Sequence, residues 1–252
     1  ASALIRGIRG QSLMFLSRRC KVAPFVWLVL TGVRAIAAVS GLRPAWPAVT
    51  PPGMRIGILG GSFDPVHLGH VGVARTVADA LALDRVWLMP AAQAPLRDNQ
   101  VRADGARRAE MVRRALSEAG DARLELCQLE LERGGVSYTA ETLRRLHAEP
   151  GAAGREFTWI VGEDQFARLA SWREPQELAR LAEWAVYARP GCAALPPPVI
   201  PGLRWQRVRA DAQWNISSSE VRARLARGEG VAGLVADKVI EYIRENGLYR
   251  GH

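Results

Sequence analysis

The chain has 252 residues, 48% of them hydrophobic and 23% charged. These values lie close to the averages for globular proteins and exclude a disordered chain, a collagen and a coiled coil. A net charge of +9 would point to nucleic acid or an anionic membrane only if it were spread over the folded part; instead residues 1–53 carry seven basic and no acidic side chains, and the remainder is nearly balanced at 27 basic against 25 acidic.

Within residues 1–53, the apolar stretch from Val22 to Leu42 is divided by Arg34 into runs of 12 and 8 uncharged residues, short of the ~20 that a spanning helix needs. Arg18, Arg19 and Lys21 before the longer run mimic an export signal. A competing reading places the natural start at Met54, after a Pro-rich break (Pro44, Pro47, Pro51, Pro52), with residues 1–53 a basic leader and residues 54–252 the folded domain. From Met54 onward, strand candidates alternate with helical patterns, as in βαβ units. The strands are expected at Arg55–Leu59, Arg85–Met89, Arg123–Gln128, Phe157–Val161, Ala185–Ala188 and Leu203–Arg207. Helices are expected near Leu68–Leu83, Asp104–Ala119, Thr139–His147, Gln165–Ala170, Pro175–Leu181, Ser218–Arg227 and Leu234–Asn246, the last stopped by Gly247. The class is therefore α/β, a doubly wound Rossmann-like parallel sheet with helices on both faces, whose ligand crevice lies outside the carboxyl ends of the strands. Cys20, Cys127 and Cys192 have neither disulfide nor zinc-ligand spacing, which suits idle thiols in a reducing, cytoplasmic setting.

Two motifs carry chemistry. The first, Gly60-Gly61-Ser62-Phe63-Asp64-Pro65-Val66-His67-Leu68-Gly69-His70, follows a strand and opens a helix. Its glycines permit close backbone approach, and a helix start offers N–H groups and partial positive charge to an anion. His67 and His70, three residues apart on the first turn, can point at one phosphate. A glycine turn with two histidines, rather than a dinucleotide Gly-x-Gly-x-x-Gly, suits charge developing on a phosphoryl group. The second motif is Ile216-Ser217-Ser218-Ser219-Glu220-Val221-Arg222. Ser217 to Glu220 has capping-box spacing, and Arg222 lies in the first turns. Two helix starts, two histidines and an arginine can bracket a triphosphate.

Together these motifs resemble the nucleotidylyltransferase superfamily. Ser137-Tyr138-Thr139, Ile160-Val161-Gly162-Glu163-Asp164, Ser171-Trp172, Ala188-Arg189-Pro190-Gly191 and Gly247-Leu248-Tyr249-Arg250 are similar, in order, to bacterial nicotinate-nucleotide adenylyltransferases. The resemblance implies adenylyl transfer from ATP to nicotinate mononucleotide, with release of pyrophosphate, in NAD biosynthesis. It implies ATP binding by Gly60, Gly61, Ser62, Phe63, Gly69, His70, Ile216, Ser217, Ser218 and Arg222, with His67, His70 and Arg222 catalytic. It implies acceptor contacts from Tyr138, Thr139, Gly162, Asp164, Trp172 and Arg189: Trp172 stacks on the pyridine, the Tyr138 and Thr139 N–H groups meet the carboxylate, and Asp164 meets hydroxyls or caps a helix. Mg²⁺ would arrive on the phosphates of ATP or pyrophosphate with no protein ligand, and neither nucleic acid nor a membrane span is a partner. Arg97 stands where relatives carry lysine or histidine, and Arg108 is either part of the site or a solvated helix charge. An amide-preferring nicotinamide-nucleotide or a pantetheine-phosphate adenylyltransferase remains the near alternative. A non-catalytic protein that binds membrane or nucleic acid through its basic leader is the distant one.

Overall fold

A computed structural model of the chain describes residues 53–95, 101–188, 195–209 and 216–251, all within one compact unit, Ala45–His252. The basic leader up to residue 52, Arg97, Arg189, Cys20 and Cys192 lie outside the described residues.

In chain order the elements are β1 (Arg55–Gly61), α1 (Leu68–Ala80), β2 (Arg85–Pro90), α2 (Gly105–Ala119), β3 (Leu124–Leu126), α3 (Leu129–Arg133) and α4 (Thr139–Ala148). They continue with β4 (Glu156–Gly162), α5 (Glu163–Phe166), a 3-10 turn (Leu169–Ser171), α6 (Pro175–Leu181), β5 (Glu183–Ala188), β6 (Trp205–Arg209), α7 (Ser218–Ala226) and α8 (Asp237–Glu245). The strands form one sheet in the order β3-β2-β1-β4-β5-β6, every pair parallel. This is the doubly wound arrangement, and its order reverses between β1 and β4, which opens the ligand crevice at their carboxyl ends.

The period-2 alternation of the strands builds two cores. Leu59, Val86, Leu88, Ile160, Ala185 and Val208 pack with α1, α2 and α8 on one face. Ile56, Ile58, Trp87, Met89, Phe157, Trp159, Val161, Trp184 and Val186 pack with α4 and α6 on the other. Burial on both faces explains why these strands read as continuous apolar runs.

Several boundaries differ from expectation. β3 is three residues long because the chain turns after it into the five-residue α3, which ends at Gly134 (φ 68°); the alternating Leu129-Glu130-Leu131-Glu132 conceals a helix too short to show a 3.6-residue period. The expected Gln165–Ala170 helix is two pieces, α5 and the 3-10 turn, and β6 begins two residues later than expected, a shift that preserves which side chains face each core. α8 ends at Asn246, with Gly247 in the left-handed region (φ 60°), as anticipated. A recess of about 340 Å³ lined by Thr158, Glu183, Trp184, Arg204 and Trp205 lies toward the amino ends of β4–β6, away from the crevice. Among the described residues no helix is long and apolar enough to cross a membrane.

Candidate active site

The first motif leaves β1 at the switch point. Gly60 is exposed, and a Cβ there would stand 3.0 Å from the Trp159 ring, a contact so tight that the indole would have to give way, so glycine suits this close approach. Phe63 adopts φ 48° while burying its ring to 1% exposure. A bulky residue in the left-handed region is backbone strain of the kind found at functional loops, held here by burial of the ring.

His67 is the N-cap of α1, with extended backbone, rather than a member of its first turn. Its N–H donates to Nδ1 of His70 at 3.2 Å, and the two rings stack with centroids 3.6 Å apart and planes 23° from parallel. The edge of His70 also meets Phe63, with centroids 4.8 Å apart. The two imidazoles thus form one unit, as their spacing suggested. The helix start is less open than expected: the Leu68 N–H donates to the Leu234 carbonyl at 2.9 Å and the His70 N–H to the His67 carbonyl at 3.0 Å. The turn therefore offers the two imidazoles rather than a row of free amides.

The second motif docks onto the first. Ser217 caps α7 by accepting the Glu220 N–H at 3.1 Å, while Glu220 turns its carboxylate to Arg224 at 2.8 Å. The Ser218 hydroxyl donates to the Pro65 carbonyl at 2.9 Å, and Arg222 donates to the Asp64 carbonyl at 2.6 Å and to the Ser219 hydroxyl at 3.2 Å. Segments more than 150 residues apart in sequence are thereby joined at the mouth of the crevice. Two of the five guanidinium N–H groups of Arg222 are used in these bonds, and its side chain keeps 20% exposure.

Asp64 lies at the centre of this junction, 3% exposed. Its carboxylate accepts the Arg102 N–H at 2.8 Å, the Ala103 N–H at 3.1 Å and the Tyr249 hydroxyl at 2.7 Å. Burial first, and then the bond to Asp64, push the Tyr249 phenol above its ordinary value, so it remains a donor. Arg108 is not a solvated helix charge: it is 2% exposed and donates to the carbonyls of Ala103 at 3.1 Å and of Ser62 and Ala91 at 2.8 Å each. Burial lowers its pKa from the usual arginine value, opposed by the charge of Asp64. Neither Asp64 nor Tyr249 has a local pattern that announces this role; an aspartate inside an apolar turn was the one available hint.

The residues expected to meet the acceptor lie on α4, on α5 and after the 3-10 turn. Tyr138 is the N-cap residue of α4, and Thr139 is its first residue. The Arg173 guanidinium lies over the Tyr138 ring at 4.5 Å and pairs with Glu141 at 2.9 Å. Trp172 is half-buried, edge-on to Trp184 at 6.0 Å, and its buried Nε1 has no hydrogen-bond partner among the described residues. Gly162 caps α5, so Asp164 is not that cap; it is exposed and accepts from Gln165 at 3.2 Å. A Cβ on Gly162 would stand 2.8 Å from Oδ1 of Asp164 and 3.3 Å from Tyr187. Beneath Tyr138 lies Glu130, 4% exposed, which sequence reasoning passed over. Cys127 is fully buried, and burial pushes its thiol up to about 12, so it is inert. Among the described residues no three His, Cys, Asp or Glu side chains gather as a metal cage.

Comparison with known proteins shows the family. Residues 58–224 match the family model described as Cytidylyltransferase-like. Relatives from Chromobacterium violaceum and Opitutus terrae that carry the name nicotinate-nucleotide adenylyltransferase are each 42% identical, over 214 and 197 residues, covering 78% of this chain and 99% and 98% of theirs. The fold matches the solved structure of a nicotinate-nucleotide adenylyltransferase from Vibrio parahaemolyticus (TM-score 0.57, 19% identity, 79% of this chain and 97% of that one). It also matches a Plasmodium falciparum nicotinic acid mononucleotide adenylyltransferase complexed with NaAD (TM-score 0.60, 19% identity, 78% and 97%). With a glycine turn and stacked histidines at the switch point, and relatives matched along nearly their whole length, the chain belongs to the nicotinate-nucleotide adenylyltransferase family of cytidylyltransferase-like proteins.

Proposed function

We propose that this chain transfers the adenylyl group of ATP to nicotinate mononucleotide, giving nicotinate adenine dinucleotide and pyrophosphate in NAD biosynthesis. The observation that carries the reading is the docking of the start of α7 onto the β1–α1 turn through Ser218 and Pro65 at 2.9 Å and Arg222 and Asp64 at 2.6 Å. It joins an arginine and a second helix start to the turn that leads into the two histidines.

A phosphate oxygen of the mononucleotide attacks the α-phosphorus in line; the bond to the bridging oxygen breaks and pyrophosphate leaves with the electron pair. The protein supplies alignment and positive potential where oxygens gain charge. His67 and His70 hold the α-phosphoryl and bridging oxygens over the turn Gly60, Gly61, Ser62, Phe63 and Gly69. Ile216, Ser217, Ser218 and Arg222 border the β- and γ-phosphates. Trp172 stacks on the pyridine ring, the Tyr138 and Thr139 amides take its carboxylate, Asp164 contacts substrate hydroxyls, and Gly162 and Arg189 are further substrate-binding residues. Mg²⁺ would be held by the phosphates of ATP and of pyrophosphate, whose charge it would neutralise.

The test is pyrophosphate release from ATP with nicotinate mononucleotide, its amide or phosphopantetheine supplied separately. Nicotinate mononucleotide is expected to be preferred, and preference for either of the others overturns the substrate assignment. A chain begun at Met54 is expected to retain this activity, whereas the leader-binding alternative requires association to depend on residues 1–53.

A further inference from the structure

Glu130 is a buried carboxyl that none of the reaction steps above uses. It sits on the five-residue α3, 4% exposed, and accepts the Thr142 hydroxyl at 2.7 Å. The Ser137 side chain also hydrogen-bonds to it. Ser137 in turn accepts the Ala92 N–H at 3.0 Å, so its own proton is directed at Glu130. The Ser137 N–H donates to the Gln93 carbonyl at 2.8 Å, and Gln93 and Val136 form an isolated parallel bridge. One residue earlier, the Ala91 N–H donates to the Gly61 carbonyl at 2.9 Å, while Arg108 bonds the Ala91 and Ser62 carbonyls. Thr142 holds the other end, with its N–H on the Tyr138 carbonyl at 3.1 Å.

These bonds form a continuous path from the Tyr138–Thr139 turn, through Thr142, Glu130, Ser137, Ala92 and Ala91, to Gly61 in the phosphate loop. The geometry points to Glu130 as a positioning residue that fixes the spacing between the acceptor subsite and the phosphate loop, through its bonds to Thr142 and Ser137. This inference rests on the reading of Tyr138 and Thr139 as acceptor contacts. A carboxylate is suited to the task because it accepts two hydroxyl protons at once in a dry site, where each bond is stronger than in water. The spacing matters because in-line transfer is steep in distance: a 1 Å misplacement costs on the order of a hundredfold.

The experiment compares Glu130→Ala, Glu130→Gln and Thr142→Val in the full chain, with three readouts. These are steady-state kinetics with nicotinate mononucleotide varied, the Kd of a non-hydrolysable ATP analogue, and hydrogen exchange at the Ala92 amide. For Glu130→Ala, kcat/KM for the mononucleotide is expected to fall at least ~30-fold and Ala92 exchange to accelerate, while analogue affinity stays within about twofold. Glu130→Gln, which can still accept from Thr142 and face Ser137, should recover most of the loss. If Glu130→Ala does not fold, Thr142→Val carries the test, with a smaller loss of the same pattern. Unchanged Ala92 exchange, or equal losses of acceptor turnover and analogue affinity, overturns the positioning role. If the wild-type chain turns over no nicotinate mononucleotide, the functional reading fails instead, and Ala92 exchange alone still decides whether Glu130 holds the loop.

Discussion

Replacing Tyr249 by phenylalanine isolates one bond of the junction that ties the chain's last residues to its first motif. The hydroxyl donates to Asp64 at 2.7 Å, both groups are buried, and the carboxylate retains the Arg102 and Ala103 amides. A hydrogen bond to a charged acceptor contributes about 1.5–3 kcal/mol. The two remaining donors and the small volume of one oxygen keep the loss near the middle, about 2 kcal/mol. For a domain of this size that corresponds to a fall of ~4–8 °C in Tm. Urea unfolding of the full chain should show the loss in the midpoint at constant m-value. Asp64→Asn and the double variant close a thermodynamic cycle, and residues in direct contact should couple by more than ~0.5 kcal/mol. A Tyr249→Phe loss below ~0.5 kcal/mol, or additivity in the cycle, would refute the idea that Asp64 gathers these segments through its carboxylate.

His70→Ala removes one ring of the stacked pair and should lower kcat by roughly two orders of magnitude or more, the usual scale for losing a preorganised charge-stabilising group; near-normal turnover removes His70 from the chemistry. Gly162→Ala places a methyl 2.8 Å from Oδ1 of Asp164 and should raise KM for the mononucleotide roughly tenfold while ATP affinity holds, less than the roughly hundredfold cost of a full ångström of misplacement; an unchanged KM argues that Asp164 touches no substrate. Burial holds the Glu130 carboxyl above the usual glutamate value, opposed by its bonds to Thr142 and Ser137 and by Arg133. The folded state therefore binds this proton more tightly than the unfolded chain, so the contribution is fully present below the ordinary glutamate pKa and is lost as pH rises through the folded value. Urea midpoints measured from pH 4 to 8 should fall across that window more steeply for wild type than for Glu130→Gln; parallel profiles would show that Glu130 ionises as it does in water.

The parts legible in the sequence were those with periodic or contiguous signals. β1, β2 and β4 were visible as apolar runs because both faces are buried, and the histidine turn and the Ser217 cap occupy consecutive residues whose chemistry is local. The hidden parts were relations between distant segments. Nothing near Tyr249 states that its hydroxyl meets a carboxylate 185 residues earlier. An arginine on an amphipathic helix looks like Arg108 whether it faces water or three carbonyls. Glu130 was hidden twice, in a helix too short for a period and in an alternating Leu-Glu pattern that matches a half-buried strand. The expected row of open amides at His67–His70 failed for the same reason, since the Leu234 carbonyl that occupies one of them comes from the far end of the chain.

Those hidden relations share a logic that follows from the reaction. Transfer without a covalent intermediate leaves the protein mainly with distances to control, and the groups to be aligned sit on loops at the ends of β1, β2 and β4. Apolar packing cannot by itself hold such loops, because their backbone N–H and C=O groups would be buried without partners. Buried ionic side chains that spend their bonds on loop backbone meet both demands: Asp64 takes two amides, and Arg108 gives to three carbonyls. Each is costly to bury unless every bond is made, so a displaced loop leaves a charge unsatisfied and is penalised steeply. The same rule predicts that Asp64→Ala and Arg108→Ala each lower the urea midpoint, because either change leaves buried N–H or C=O groups of the loop that carries His67 and His70 without their partner.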